Sequence, residues 1–352
     1  NCIGGYTRSK FTYSFAAAEA MVPHILGSYR AFLDTCTSWD SIEENTELFI
    51  CFGGVPLKNG QIAQGGTGSH NQKEKLIRSA NAGIKFINFS PLKSDLLDEV
   101  NGEWLALRPN TDVAIMLGLA YTLYKEKLYD DKFIEKYTEG FDTFLPYLKG
   151  DIDGIAKDAN WASSISEIPS EKITSLAKEM SSKRTMISVS WSLTRQDHGE
   201  QPFWAAIMLA SMLGQIGLPG GGFGFGYSAT NHIGGQFSII PGAAFPQTQN
   251  KIDDFIPVAR ISDLLLNPGG KFDFDGREYK YPDIKLIYWA GGNPFHHHQD
   301  INRLLQAWQK PETIISNEWC WNSLAKYSDI ILPCTTPLER QDIMLTPRDP
   351  YV

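Results

Sequence analysis

Apolar residues fall into two kinds of run along the chain. Short, nearly continuous runs recur at Leu48–Gly54, Ile84–Ser90, Thr185–Trp191, Lys285–Ala290, Thr313–Ser316 and Asp329–Leu332. They do not alternate with polar residues. This pattern predicts strands buried on both faces, as in a parallel sheet. Between them lie stretches with helical spacing. Ile173, Leu176, Ala177 and Met180 follow Pro169-Ser170 at i, i+3, i+4 and i+7, and Ile301, Leu304, Leu305 and Trp308 repeat the stripe. Thr111–Tyr124 is apolar nearly all round, with Asn110 or Thr111 as N-cap. Glu200–Gln215 reads as a helix stopped by Gly217 and Pro219. Alternating strands and helices predict an α/β fold of two doubly wound, mostly parallel units.

The stretch 217–250 breaks the pattern. It is rich in Gly, Pro, Ser and Asn, lacks periodicity, and predicts a long loop or domain crossover. The expected division is a lead-in over 1–24, a first α/β unit over 25–242 and part of a second over 243–352. Pro219–Gly226 matches neither the phosphate-loop nor the dinucleotide glycine pattern, because it follows a helix. It reads either as a helix cap with a flexible turn or as the lining of a channel.

Composition narrows the partners. The chain has 352 residues, room for two domains, and a formal net charge of -8. Few basic clusters are present, which argues against nucleic acid and anionic membranes as main partners. A phosphorylated small molecule stays compatible, because backbone N–H groups bind phosphate without net positive charge. No apolar run is long enough to span a bilayer. The five cysteines, Cys2, Cys36, Cys51, Cys320 and Cys334, are widely spaced without a C-x-x-C pair. That argues against a zinc knuckle, a ferredoxin-type cluster and a disulfide framework.

Candidate chemistry gathers where the strands end. In open α/β sheets, ligands bind beyond the carboxyl ends of the strands. Here those ends read Gly53-Gly54, followed by Pro56–Asn59; Ser90-Pro91; Trp191–Arg195; Gly291-Gly292-Asn293; Asn317-Glu318; and Thr335–Arg340. Glycines admit close backbone approach, and Arg grips phosphate bidentately. Two units marked in this way point to a large ligand or two nucleotides. Asp112, Asp197, Glu200 and Glu318 are candidate polar anchors, although Asp112 also reads as a first-turn helix acid favoured by the dipole.

His296, His297 and His298 are consecutive. Consecutive side chains diverge on a helix or a strand, so they do not converge on one ion. Asn293 and one histidine suit hydrogen bonding to phosphate, ribose or base, with the other two solvated or capping the next helix. No Ser-His-Asp arrangement or paired-carboxylate motif is present. No catalytic side chain and no metal ligand is assigned.

The chain resembles the dimethyl sulfoxide reductase family of molybdopterin oxidoreductases, and is most similar to its trimethylamine-N-oxide reductase branch. The resemblance runs through Ala17–Ala20 with Pro23-His24, Thr37–Trp39, Asn45, Asn110–Asp112, Trp191 with Arg195, and His198–Gln201. It continues through Leu213–Gly224, Ile256–Arg260, Gly291–Phe295 and Glu339-Arg340. It implies a bis(molybdopterin guanine dinucleotide) molybdenum cofactor held by two nucleotide-binding α/β domains. The implied reaction is oxygen-atom transfer from a small N-oxide or S-oxide, with trimethylamine N-oxide the expected substrate. The cofactor carries that chemistry while the protein positions and tunes it.

By resemblance, Ser90, Asn110, Thr111 and Asp112 contact one guanosine end, and Trp191, Ser192 and Arg195 line the same dinucleotide. Asn293, His297, Asn317, Glu318 and Arg340 hold the other. The site around Lys58-Asn59 is a weaker transfer. Family members carry Asp where this chain has Ser90, which removes a charge from that contact. The serine that ligates molybdenum is expected before residue 1 and the cap domain after residue 352. The isolated chain is therefore expected to be soluble and without cofactor. The resemblance also implies a bacterial periplasmic location, with the cytoplasm as the alternative, and an electron donor such as a c-type cytochrome. Three other readings stay open: a dimethyl sulfoxide or biotin sulfoxide reductase, a non-catalytic binding or assembly module, and an NAD-binding dehydrogenase. The last is disfavoured, because no dinucleotide fingerprint follows the first strand.

Overall fold

The computed structural model describes residues 1–2, 4–60, 70–235 and 246–343. Among the described residues the strands are β1 (Arg8–Lys10), β2 (Leu48–Phe52), β3 (Lys85–Phe89), β4 (Glu103–Leu105), β5 (Thr185–Val189) and β6 (Gly222–Phe225). They continue with β7 (Phe255–Pro257), β8 (Lys271–Phe274), β9 (Arg277–Lys280), β10 (Leu286–Ala290), β11 (Thr313–Glu318) and β12 (Ile330–Pro333). The chain divides into two compact units. The larger takes Ala17–Gly242; the smaller takes Asn1–Ala16 together with Ala243–Met344. Residue 242, where the sequence reading sets its boundary, lies outside the described residues. The first residues take part in the smaller unit, because β1 pairs in parallel with β7.

In the larger unit the sheet order is β4-β3-β2-β5-β6. Every neighbouring pair is parallel. The chain enters at the centre with β2, grows outward through β3 and β4, then returns to the other side of β2 with β5. Strand order therefore reverses between β2 and β5, which makes a topological switch point. All residues of β2 and β5 are buried. Phe52 and Phe89 stack across neighbouring strands at 5.0 Å.

Helices cover the faces. The helix Asp112–Lys125 packs against Ala159–Ser166, Ser170–Ser182 and Gln201–Met212, which accounts for its apolar residues all round. Helix Ser170–Ser182 buries Ile173, Leu176, Ala177 and Met180, as their spacing predicts.

The stretch expected to be a loop contains a strand. Gly222–Phe225 is β6, fully buried and paired with β5; residues 236–245 of that stretch lie outside the described residues. Its alternation carries the packing. Phe225 sits 4.8 Å from Phe203 and 5.2 Å from Phe223, while a Cβ at Gly224 would fall on the Tyr227 ring. Glycine composition hides such a strand, because glycine usually weakens one unless a neighbour must approach closely.

The smaller unit has a parallel sheet in the order β10-β11-β12. It also has an antiparallel pair, β8 with β9. Leu264, Phe272, Leu304, Trp308, Ile314 and Leu324 belong to its core. Here the expectation of strands buried on both faces is corrected. Leu286, Tyr288, Ile330 and Leu332 are exposed. The register aligns Tyr288 with Ile315 and Ile315 with Ile330. These residues share a sheet face that nothing among the described residues of this unit covers. Among the described residues, no helix is long and apolar enough to cross a membrane.

Candidate functional site

The switch point of the larger unit brings three strand ends together. After β2 the chain turns through Gly53 and Gly54, at φ of 80° and 75°. That is left-handed backbone, which glycine adopts without strain. Space is also short. A Cβ at Gly53 would lie 2.8 Å from the Ser190 Cβ, and one at Gly54 would fall on the Asp95 backbone. Hydrogen bonds tie the ends: the Gly53 N–H donates to the Phe89 carbonyl at 2.8 Å, and the Ser190 N–H to the Phe52 carbonyl at 2.9 Å. Ser192 donates its hydroxyl to the Ser190 Oγ at 3.0 Å. Trp191 is buried, and a Cβ at Gly226 would fall on its indole. Ser192 and Arg195 are exposed in the 3-10 turn Trp191–Arg195.

Ser90 is fully buried. Its hydroxyl donates to the Asp95 carboxylate at 2.7 Å, and Lys58 reaches the other carboxylate oxygen at 3.1 Å. A carboxylate therefore stands beside the position where the family resemblance finds one missing. Asp95 escapes sequence reasoning because it sits in a 3-10 turn, Lys93–Asp95, five residues past the strand-end position, where no periodic signal points to it.

Asn110, Thr111 and Asp112 form a separate corner beyond β4. Asn110 is exposed at φ 65°. Thr111 donates its hydroxyl to the Arg108 carbonyl at 2.5 Å. Asp112 opens its helix as the expected first-turn acid and is 2% exposed. Burial pushes its carboxyl up to about 6, against the opposing pull of its own backbone N–H. Among the described residues, no hydrogen bond or ion pair joins this corner to Ser90.

In the smaller unit, the strand ends are linked by helix caps. Asn293 caps the one-turn helix Pro294–His297, accepting from the Phe295 N–H at 3.0 Å. Its amide donates to the Ser323 hydroxyl at 2.9 Å. Neighbouring Asn322 caps Ser323–Lys326 and donates to the Glu318 carboxylate at 2.8 Å. Asn293 and Glu318 thus belong to one polar chain through Ser323 and Asn322. These two residues were not singled out from sequence, although Asn-Ser ahead of a short apolar run is a capping signal. The Asn317 side-chain Oδ1 accepts from the Tyr288 hydroxyl at 3.0 Å. Arg340 is paired with Asp342 at 2.7 Å and donates to the Thr335 carbonyl at 2.9 Å.

The histidines separate. His296 and His297 are exposed, and His297 lies beside Gly292, 3.7 Å from where its Cβ would be. His298 corrects the expectation of a solvated or capping role. It is buried, with Nδ1 2.9 Å from the Tyr13 hydroxyl and its ring edge-on to Tyr13. Burial, then the neighbouring His297, holds its pKa below the ordinary value. Tyr13 is 285 residues away in the chain, so no local pattern announces the pair. Among the described residues, no group of three His, Cys, Asp or Glu side chains could hold a metal ion.

Comparison with known proteins gives a consistent neighbourhood. A family model described as molybdopterin oxidoreductase matches residues 1–348. A biotin sulfoxide reductase of Cereibacter sphaeroides is 46% identical over all of this chain and 47% of its own length. A trimethylamine-N-oxide reductase of Haemophilus influenzae is 43% identical over 98% of this chain and 43% of its own. A dimethyl sulfoxide/trimethylamine N-oxide reductase of Cereibacter sphaeroides is 42% identical over 97% and 43%. The chain therefore spans a little under half the length of these relatives. Among solved structures, acetylene hydratase from Pelobacter acetylenicus superposes with a TM-score of 0.53 at 16% identity, covering 94% of this chain and 46% of that one. That likeness supports the fold.

Proposed function

The chain belongs to the molybdopterin oxidoreductase family, and from that premise we propose that it is the nucleotide-binding portion of an N-oxide or S-oxide reductase working with bis(molybdopterin guanine dinucleotide). The observation that carries the reading is the crowding at Gly53 and Gly54. The two glycines hold the chain close against Ser190 and Asp95 at a switch point, the place where doubly wound sheets bind dinucleotides. The residues fit such a group. Ser90, Asp95 and Lys58 offer a hydroxyl, a carboxylate and an ammonium at one strand end. Asn293, Ser323, Asn322 and Glu318 offer alternating donors and acceptors at another.

When bound, the cofactor supplies oxygen-atom transfer and two-electron chemistry. This chain's residues bind and orient. Carboxylates of Asp112 and Glu318 accept from guanine N–H or ribose hydroxyl groups. Arg195 and Arg340 present cations to diphosphate, with Arg340 exchanging Asp342 for the ligand. Trp191 walls the pocket behind Ser192.

Trimethylamine N-oxide is the substrate we propose, with a c-type cytochrome as donor in the periplasm. Identities of 46% and 43% to reductases named for different oxides do not separate the substrates. The neutrality of Ser90 favours a non-catalytic module, and the Asp95 carboxylate at 2.7 Å from its hydroxyl weakens that alternative.

The test is purification of the whole parent protein, metal analysis, and viologen-coupled reduction of trimethylamine N-oxide, dimethyl sulfoxide and biotin sulfoxide in parallel. Bound molybdenum and fastest turnover of the N-oxide are expected. Preference for biotin sulfoxide would overturn the substrate. Absence of both pterin and activity would overturn the enzyme.

A further inference from the structure

One aromatic cluster of the smaller unit has no role in the reading above. β1 runs parallel to β7, with Arg8 opposite Phe255 and Lys10 opposite Pro257. Side chains two residues apart on a strand share a face, so Lys10 and Phe255 stand on one side. The hairpin of β8 and β9 sets Phe272 opposite Tyr279, which puts Phe272, Phe274 and Tyr279 on one face as well. The two faces meet. The Phe255 ring lies 5.2 Å from Phe274 at 62° and 4.9 Å from Tyr279 at 73°. Phe11 completes the group, 5.4 Å from Phe274. Its φ of 67° is left-handed backbone that a bulky side chain rarely adopts, and this bend directly follows Lys10.

Three of these rings converge on one cation. The Lys10 Nζ lies 4.7 Å from the Phe255 ring centre, 5.1 Å from that of Phe274 and 5.7 Å from that of Phe11. All three fall within the roughly 6 Å at which a ring face attracts a cation. Phe272 is buried beneath the cluster, 5.6 Å from Tyr279. Lys10, Phe11, Phe255 and Phe274 are half-buried, so solvent reaches the group. Asp253 and Asp254, both exposed, directly precede Phe255 and carry the charge that draws a cation in.

The resident cation does not match its surroundings. A lysine ammonium carries three N–H donors, and among the described residues no hydrogen bond or ion pair takes up those of Lys10. Ring faces attract charge but are weak acceptors for directed donors. A quaternary ammonium has no N–H to satisfy and turns its methyl groups to the rings. We propose that Phe11, Phe255 and Phe274 form a binding cage for a quaternary ammonium cation, with Lys10 as a tethered stand-in that the ligand displaces. The flexible four-carbon stem of Lys10 lets its ammonium leave for solvent while β1 stays paired. The inference does not rest on the reaction proposed above.

The test is calorimetric titration of the 352-residue chain with tetramethylammonium chloride, against ammonium chloride and sodium chloride at equal ionic strength. Saturable binding of tetramethylammonium is expected, with none of the other two cations. Lys10→Ala should tighten it at least about fivefold, because the resident ammonium no longer competes for the cage; Lys10→Gln replaces it if that variant fails to fold. Phe255→Leu and Phe274→Leu should each weaken binding at least about fivefold by removing a ring face, and either serves if the other fails to fold. No saturable binding by the Lys10 variant, equal binding of ammonium, or an affinity unchanged in the folded ring variants overturns the proposal. Binding by the Lys10 variant but not by wild type overturns displacement and leaves Lys10 a fixed clasp. Oxide reduction is not read, so failure here is distinct from failure of the reductase reading.

Discussion

The two α/β units use the same kind of strand and treat it differently. β2 in the larger unit and β10 in the smaller are both five-residue apolar runs in parallel sheets. Every residue of β2 is buried, whereas β10 alternates between exposed and half-buried positions. The larger sheet has five strands, and its central β2 and β5 are buried throughout. The smaller has three, and nothing among the described residues of that unit covers its Tyr288–Ile315–Ile330 face. An apolar run thus marks a parallel strand in both places, but burial depends on whether the unit supplies a second covering layer. The candidate sites differ in kind as well. The larger unit builds its site by crowding backbone against Gly53 and Gly54. The smaller builds its site from the caps Asn293 and Asn322.

The largest effect expected from this contrast is a pair of truncations. Phe49→Ala in β2 should cost about 3–5 kcal/mol, because it empties a fully buried ring position. Tyr288→Ala, at an exposed position, should cost less than about 0.5 kcal/mol. Denaturant unfolding measures both, and equal costs would remove the distinction. The next effect follows pH. The Asp112 carboxyl sits at about 6 against an ordinary 3.8, so between those values the folded state holds a proton that the unfolded state has lost. Stability should therefore fall as pH rises from about 4 to 6, by about 3 kcal/mol, and stay low above that. Asp112→Asn should flatten this part of the curve; an unchanged slope would assign it to another group. A smaller effect, about 1 kcal/mol, is expected for Asn293→Ala, which removes the cap and its link to Ser323. If that variant costs nothing, the polar chain in the smaller unit is not a supporting framework.

Much of this was legible in the sequence. All six apolar runs are strands, although continuous burial goes with only the three of the larger unit. β6 was not legible, since Gly-Phe alternation reads as a turn until Tyr227 and Trp191 are seen to need the space. The β8–β9 hairpin carried its signal in Asp275-Gly276, both at positive φ, as a tight hairpin turn requires; no element was assigned there from sequence. At the candidate sites, Ser90, Asn293 and Glu318 stand out as strand-end residues. Their partners Asp95 and Ser323, and the Tyr13 partner of His298, do not. Partner identity depends on turns and long-range pairing, which no local period encodes.

The central claim is that the glycine-lined switch point of the larger unit seats a dinucleotide of the cofactor. It is tested most directly by molybdenum and pterin content in the purified parent protein, wild type against Gly53→Val. A side chain at Gly53 meets Ser190 and must adopt left-handed backbone. The account expects one molybdenum and two pterins per wild-type chain, and at least a tenfold loss of both in a variant that remains folded by circular dichroism, about 1.4 kcal/mol of binding. Full cofactor content in folded Gly53→Val, or a wild-type protein free of both, would contradict it.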